Sequence, residues 1–131
     1  MKKKITISLI TNVLIVATFF GFKSWDYKSK IDKLEEIGAS FGYGMTDVLH
    51  VDLSNTEVND EDLSLLDIFS LEKIDLTNTK ITNLEPLHKQ QFLLSLVLNG
   101  TEVPQEQIDL LKKKLPSLKI KKEKKGTDQL R

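Results

Sequence analysis

A chain of 131 residues has room for one compact domain and little besides. Its 19 basic and 19 acidic residues cancel, and the absence of cysteine excludes disulfides, thiolate metal sites and a cysteine nucleophile. The zero total hides a segregation: 48–90 holds nine carboxylates against three lysines, and 91–131 nine cations against five acids. Such asymmetry marks a charged tail or a binding surface.

The N-terminus opens with Lys2, Lys3 and Lys4 and then runs without a charge from Ile5 to Phe22. As a helix rising about 1.5 Å per residue, that segment is roughly 27 Å long, close to a hydrocarbon core of about 30 Å. A soluble core helix would need a polar face at helical period, and Thr6, Ser8, Thr11, Asn12 and Thr18 are too scattered to make one. No small-residue cleavage site follows, since Ala17 leads into Thr18, Phe19 and Phe20. Phe19, Phe20, Phe22, Trp25 and Tyr27 instead form an aromatic boundary. The expectation is a single-pass signal-anchor over 1–24, inserted through residues 5–22, with the C-terminal domain outside the cytoplasm. A secreted soluble form after cleavage is the alternative.

Residues 25–47 read as a lead-in. Ile31, Leu34 and Ile37 give an amphipathic helix that Gly38 ends, and a short strand is expected over 39–43. It would cover the open edge of whatever sheet follows.

From 48 onward the chain echoes itself. "VLHVDLSNTEV" from Val48, "LEKIDLTNTKI" from Leu71 and "LLSLVLNGTEV" from Leu93 share a pattern LxxLxLxxTxV at spacings of 23 and 22 residues. The fourth position is Val51, Ile74 and Leu96, the sixth Leu53, Leu76 and Leu98, the ninth Thr56, Thr79 and Thr101. Side chains alternate along a strand, so positions four and six point inward together. The ninth-position hydroxyls are expected to satisfy backbone groups of neighbouring turns. A degraded fourth copy starts at Leu115, with Leu118 and Ile120 placed 22 residues after Leu96 and Leu98.

The intervening segments carry helix signals. Asn59 or Asp60 suits the start of the first, and Thr82 with Glu85 offers a capping box in the second, where Pro86 points to a short 3₁₀ turn. The third is the clearest: Pro104 at its start, Ile108, Leu111 and Leu115 on one face, lysines in its last turn and Pro116 to stop it.

On these positions the chain resembles the leucine-rich repeat family, with threonine where asparagine is commonest; the lead-in is similar to that of small bacterial members. The resemblance implies an α/β fold: a short solenoid of about three and a half repeats over 48–121, parallel strands joined by helical or 3₁₀ returns, preceded by a helix-strand N-cap and a transmembrane helix. Residues 122–131 form a charged tail.

No nucleotide-binding, zinc-protease or serine-hydrolase motif is present, and neither histidine has a second at ligand spacing. The acids Asp60, Glu61 and Asp62 lack the glycine and terminal glutamate of a calcium loop. The lysine-rich end could attract anionic lipid or nucleic acid, but its lysines lack interleaved aromatics and Glu123 interrupts them, so it reads as a solvated cap, not a nucleic-acid site. No catalysis, cofactor, metal or small-molecule substrate is expected. An enzyme-associated subunit, using Asp52, Asp75 and His50, is the weaker alternative. What remains is a face: His50, Lys73 and Ser95 at position three, Asp52, Asp75 and Val97 at five, Ser54, Thr77 and Asn99 at seven. The family resemblance implies a concave protein-binding surface for an unidentified protein partner, and hence a non-catalytic interaction module at the cell envelope; a solvated sheet face with no partner is the other reading.

Overall fold

The computed structural model describes residues 25–45 and 47–123. The expected anchor and the last part of the charged tail, 124–131, lie outside them. Among the described residues no helix is long and apolar enough to cross a membrane. The chain divides into two compact units, Met1–Lys33 and Leu34–Arg131. The first contributes the opening of a helix over 25–37 (α1), where Lys30 pairs with Asp26 at 3.9 Å, one turn earlier.

The second unit is built on a five-stranded sheet of β1 (Ser40–Tyr43), β2 (Val48–Asp52), β3 (Lys73–Asp75), β4 (Ser95–Val97) and β5 (Lys119–Lys121), in that spatial order. β1 runs antiparallel to β2, and the other pairs are parallel. Between the parallel strands the chain returns through a 3₁₀ helix at Asp62–Ile68, a second at Glu85–Lys89, and the α-helix α2 at Gln105–Lys114. The α/β class and the short 3₁₀ turn at Pro86 are as expected.

Alternation puts one residue of each three-residue strand inward. Val51, Ile74, Leu96 and Ile120 stand side by side, and Leu53, Leu76 and Leu98 follow just beyond the strand ends. All but Ile120 are essentially buried. The returns close the other side with Leu63, Leu66, Leu84, Leu87, Ile108 and Leu111. At the first-strand end, Leu34 is buried and Phe41 meets Phe69 with ring centroids 6.2 Å apart.

Strands this short depend on hydrogen bonds that continue past them. Leu53 N–H donates to Asp75 O, Leu76 N–H to Val97 O and Leu98 N–H to Lys121 O, at 2.7–2.9 Å. The chain then has to turn sharply, and it does so in the left-handed region at one equivalent position: Asn55 (φ 57°), Asn78 (φ 55°) and Gly100 (φ 69°). Asparagine and glycine tolerate that conformation better than other residues. The two asparagines also join, Asn78 Nδ2 donating to Asn55 Oδ1 at 2.9 Å. A side chain at Gly100 would run into Asn78.

The ninth-position threonines behave differently from expectation. Each hydroxyl donates within its own turn, Thr56 to Leu53 O, Thr79 to Leu76 O and Thr101 to Leu98 O, at 2.6–2.7 Å. A hydroxyl on a short stem reaches the carbonyl three residues back, and the neighbouring turn lies beyond it.

The expected capping box at Thr82 and Glu85 does not form. The Asp60 carboxylate reaches across from the preceding return and accepts from Thr82 N–H, Thr82 Oγ1 and Asn83 N–H. Asn83 Oδ1 caps the 3₁₀ turn instead, accepting from Glu85 N–H. Asn59 does start the first return, with its Oδ1 accepting from Glu61 and Asp62 N–H.

The last strand sits two residues from its expected register. Leu96 pairs with Ile120, not Leu118, a spacing of 24 residues where the earlier pairs are 23 and 22 apart. The cause is the α-helical return: α-helix rises about 1.5 Å per residue against about 2.0 Å for 3₁₀, so it takes more residues to span the same distance. A shift of two keeps every side chain on its face. It puts Lys122 level with the buried leucines, and its ammonium donates to Val103 O at the end of the core.

Two interactions inside the core region have no sequence signature. The buried Gln90 accepts from Leu71 N–H through Oε1 and donates to Leu66 O through Nε2, bridging two turns of chain. Gln107 Oε1 accepts from Leu84 N–H at 3.2 Å.

Replacing Asn78 by alanine is expected to cost about 1–2 kcal/mol, from left-handed strain and the lost amide bond, and Asn78→Gly distinctly less. Urea denaturation followed by circular dichroism gives the order. Burial acts to raise the pKa of Asp60, but the donors from Thr82 and Asn83 outweigh it and hold the carboxyl below its ordinary value. A depressed folded-state pKa contributes stability above the unfolded value and loses it as pH falls through the folded one. Asp60→Asn is therefore expected to lower the urea midpoint at neutral pH and to match the wild type once acid has protonated the carboxylate. Ile74→Asp, which buries a charge at 0% exposure, is expected to abolish the cooperative transition altogether.

Candidate functional site

The outward residues of the strands form cross-strand rows because the pairing is in register. His50, Lys73, Ser95 and Lys119 make one row; Asp52, Asp75, Val97 and Lys121 make the next. Neighbours in a row are about 4.8 Å apart, so each row extends about 14 Å across four strands. The sequence-selected residues at positions three and five thus share one face, and the shifted register adds Lys119 and Lys121 to it. Those two were missed because the fourth segment was aligned by its leucines, although their alternation with Ile120 is a strand signal.

His50, Asp52, Lys73 and Asp75 converge on an open groove of about 210 Å³ whose far wall is Ser40, Phe41 and Gly42 from β1. Gly42 faces His50 across the antiparallel pair, and a Cβ at Gly42 would meet His50 Cβ at 3.1 Å and Nδ1 at 3.2 Å. Glycine there gives the imidazole room to lie over β1. The wall could not be read from sequence, since nothing in residues 40–42 signals which face of β2 they border.

The two carboxylates are held from behind. Asp52 Oδ1 accepts from Ser54 N–H at 2.9 Å, and Asp75 Oδ1 accepts from both Thr77 N–H and Thr77 Oγ1, at 2.9 and 2.6 Å. Position seven therefore orients position five. Asn99, third in the position-seven set, uses its Oδ1 to accept from Glu123 N–H and so ties down the exit of β5. Lys73 makes no ion pair among the described residues, which leaves an ammonium, an imidazole and the second oxygen of each carboxylate turned to solvent.

Chemically, the groove offers a pair of adjacent carboxylates flanked by a cation, suited to holding a charged side chain. No three groups among the described residues are placed to hold a metal ion. The other histidine, His88, lies on the second 3₁₀ helix, away from these rows, with a buried Nε2 that has no partner. No protein-family profile matches the chain, and no curated protein is similar to it in sequence.

Because Asp75 is an acceptor twice over, Asp75→Ala is expected to cost about 1–2 kcal/mol. The exposed Lys73→Ala should stay within about 0.5 kcal/mol of the wild type. Thermal melts of the two variants test the distinction between a positioned and a free charge.

Proposed function

We propose that this chain is a leucine-rich repeat protein held at a membrane by residues 5–22, and that its outward strand face docks another protein. The array would be a short solenoid: segments 48–58, 71–81 and 93–103 each supply one strand and one inward leucine set, and β5 closes the stack. No reaction is assigned to it.

The row of position five carries the docking reading. From β2 to β5 it passes through Asp52, Asp75, Val97 and Lys121, so charge changes sign along the face with an apolar residue between. A partner that fits it presents cations over β2 and β3 and an acid over β5. Such complementarity sets orientation and suppresses wrong partners more than it adds raw affinity. The face has no Trp, Tyr or Arg at these positions, the residue types that dominate tight interfaces, so the contact is a modest one. The groove bordered by Ser40 and Gly42 supplies a recess for a side chain anchored between Asp52 and Asp75, while Phe41, paired with the inward Val51, turns its ring to Phe69.

A photo-crosslinking residue at Ser95 or Val97, in the middle of the face, tests this in the native membrane. An adduct is expected from those positions and not from Glu102, and Asp52→Lys with Asp75→Lys should lower its yield by about tenfold or more. An adduct insensitive to the double charge reversal, or none, rejects the docking face. Alkaline extraction tests the tether separately, since an inserted chain stays with the membrane pellet.

A further inference from the structure

Within Leu34–Arg131, large apolar side chains reach solvent at few places. Tyr43 is 66% exposed, Phe92 65% and Leu94 54%, and Met45 is fully exposed. Leu110, on the outer side of α2, is the other such residue among those described in this unit.

The topology gathers the first four on one edge. β2, β3 and β4 are parallel, so their N-terminal ends line a single side of the sheet. Tyr43 pairs with Val48, the first residue of β2, and Met45 lies in the turn between them. Phe92 and Leu94 lead directly into β4. The opposite edge, where the strands exit, carries Asn55, Asn78, Gly100 and the exposed Glu57–Lys80 pair, with no large apolar side chain exposed among its described residues.

Charge divides the same way. The returns run back against the strands, so their last turns arrive at the apolar edge; the first brings Asp67 and no base, the second Lys89, and the third Lys112, Lys113 and Lys114. Their first turns, with Asp62, Glu85 and Glu106, sit at the polar edge. Lys114 and Leu94 border an open groove of about 320 Å³ whose floor is Leu93, Leu115 and Leu118. Among the described residues, Asp47, Asp67 and Glu72 bring carboxylates to the apolar side, and Asp47 accepts from Val48 N–H.

We propose that this strand-entry edge rests on the surface of a bilayer containing anionic lipid, with Tyr43, Met45, Phe92 and Leu94 in the interfacial layer and Lys89 and Lys112–Lys114 at the headgroups. Tyr43 ends β1 and the other three anchors project from turns, and the entries to β2 and β4 are about 10 Å apart with the entry to β3, at Ser70 and Glu72, between them. They form no continuous socket for a protein. A lipid surface accommodates separate anchors, favours aromatic and flexible apolar side chains at its boundary, and attracts cations through its anionic headgroups. The inference rests on the tether reading only for bringing the domain to the bilayer.

The experiment uses the full chain in vesicles of phosphatidylcholine with or without phosphatidylserine, in a Trp25→Phe background. A Phe92→Trp reporter on the apolar edge is compared with Lys80→Trp on the polar one, with bromine on the lipid acyl chains as quencher. Expected is quenching of the Phe92→Trp reporter by more than about twofold, stronger with phosphatidylserine, and little at Lys80→Trp. Replacing Lys89, Lys112, Lys113 and Lys114 by glutamine should remove the dependence on phosphatidylserine. If an alkali-resistant chain shows no quenching at position 92, the lipid contact is overturned and the tether stands. Quenching at 92 in a chain that alkali strips from the vesicles keeps the contact and removes the tether. Shielding of position 92 without bromine quenching, together with crosslinked dimers, gives the edge to a second copy and overturns the proposal.

Discussion

The backbone bonds that leave each strand for the next turn of chain are the constraint on which the rest depends. A strand of three residues has too few ladder bonds to persist alone. Its pairing survives because Leu53, Leu76 and Leu98 each extend the ladder beyond the strand, and because the chain then bends in the left-handed region at Asn55, Asn78 and Gly100. That bend aligns successive turns well enough for Asn78 to bond Asn55 and for Asp60 to reach Thr82 and Asn83. Remove the alignment, and the buried leucines lose their neighbours on both sides.

The same registration makes the outward face. Side chains two residues apart on a strand stay on one side of the sheet, and in-register parallel pairing turns them into rows. Asp52 and Asp75 are adjacent because Val51 and Ile74 are, so the proposed contact surface follows from core packing. Each carboxylate is then oriented from its own strand end, by Ser54 or Thr77. The strand-entry edge has a similar origin: returns that run against the strands deliver their final lysines there, beside the turns that expose Tyr43, Met45, Phe92 and Leu94.

Much of this was legible in residue order. The inward columns follow from period-2 alternation, the α2 boundaries from Pro104 and Pro116, and the 3₁₀ turn from Pro86. The Asn, Asn, Gly succession at 55, 78 and 100 is a turn signal of the same kind, since these residue types tolerate the left-handed region. Other features had no local trace. Gln90 is one polar residue among several in its segment, and only the closed core makes both ends of its amide meet backbone groups of other turns. Thr82 looks like a cap by spacing, yet Asp60 is 22 residues away and takes its hydroxyl.

Sequence by itself determined which side chains of β2, β3 and β4 face inward and where the chain leaves those strands, because those depend on local periods and on residues with restricted backbones. Tertiary structure alone decided the register of β5, the wall that Ser40 and Gly42 set beside His50 and Asp52, and the company each charge keeps. The reason is one of length: a return contributes to register through the distance it spans, and α-helix and 3₁₀ helix convert residues into distance at different rates. Two extra residues in the last return moved Lys119 and Lys121 into the rows of the candidate face and set Lys122 level with the leucines, a placement no count of leucines could have supplied.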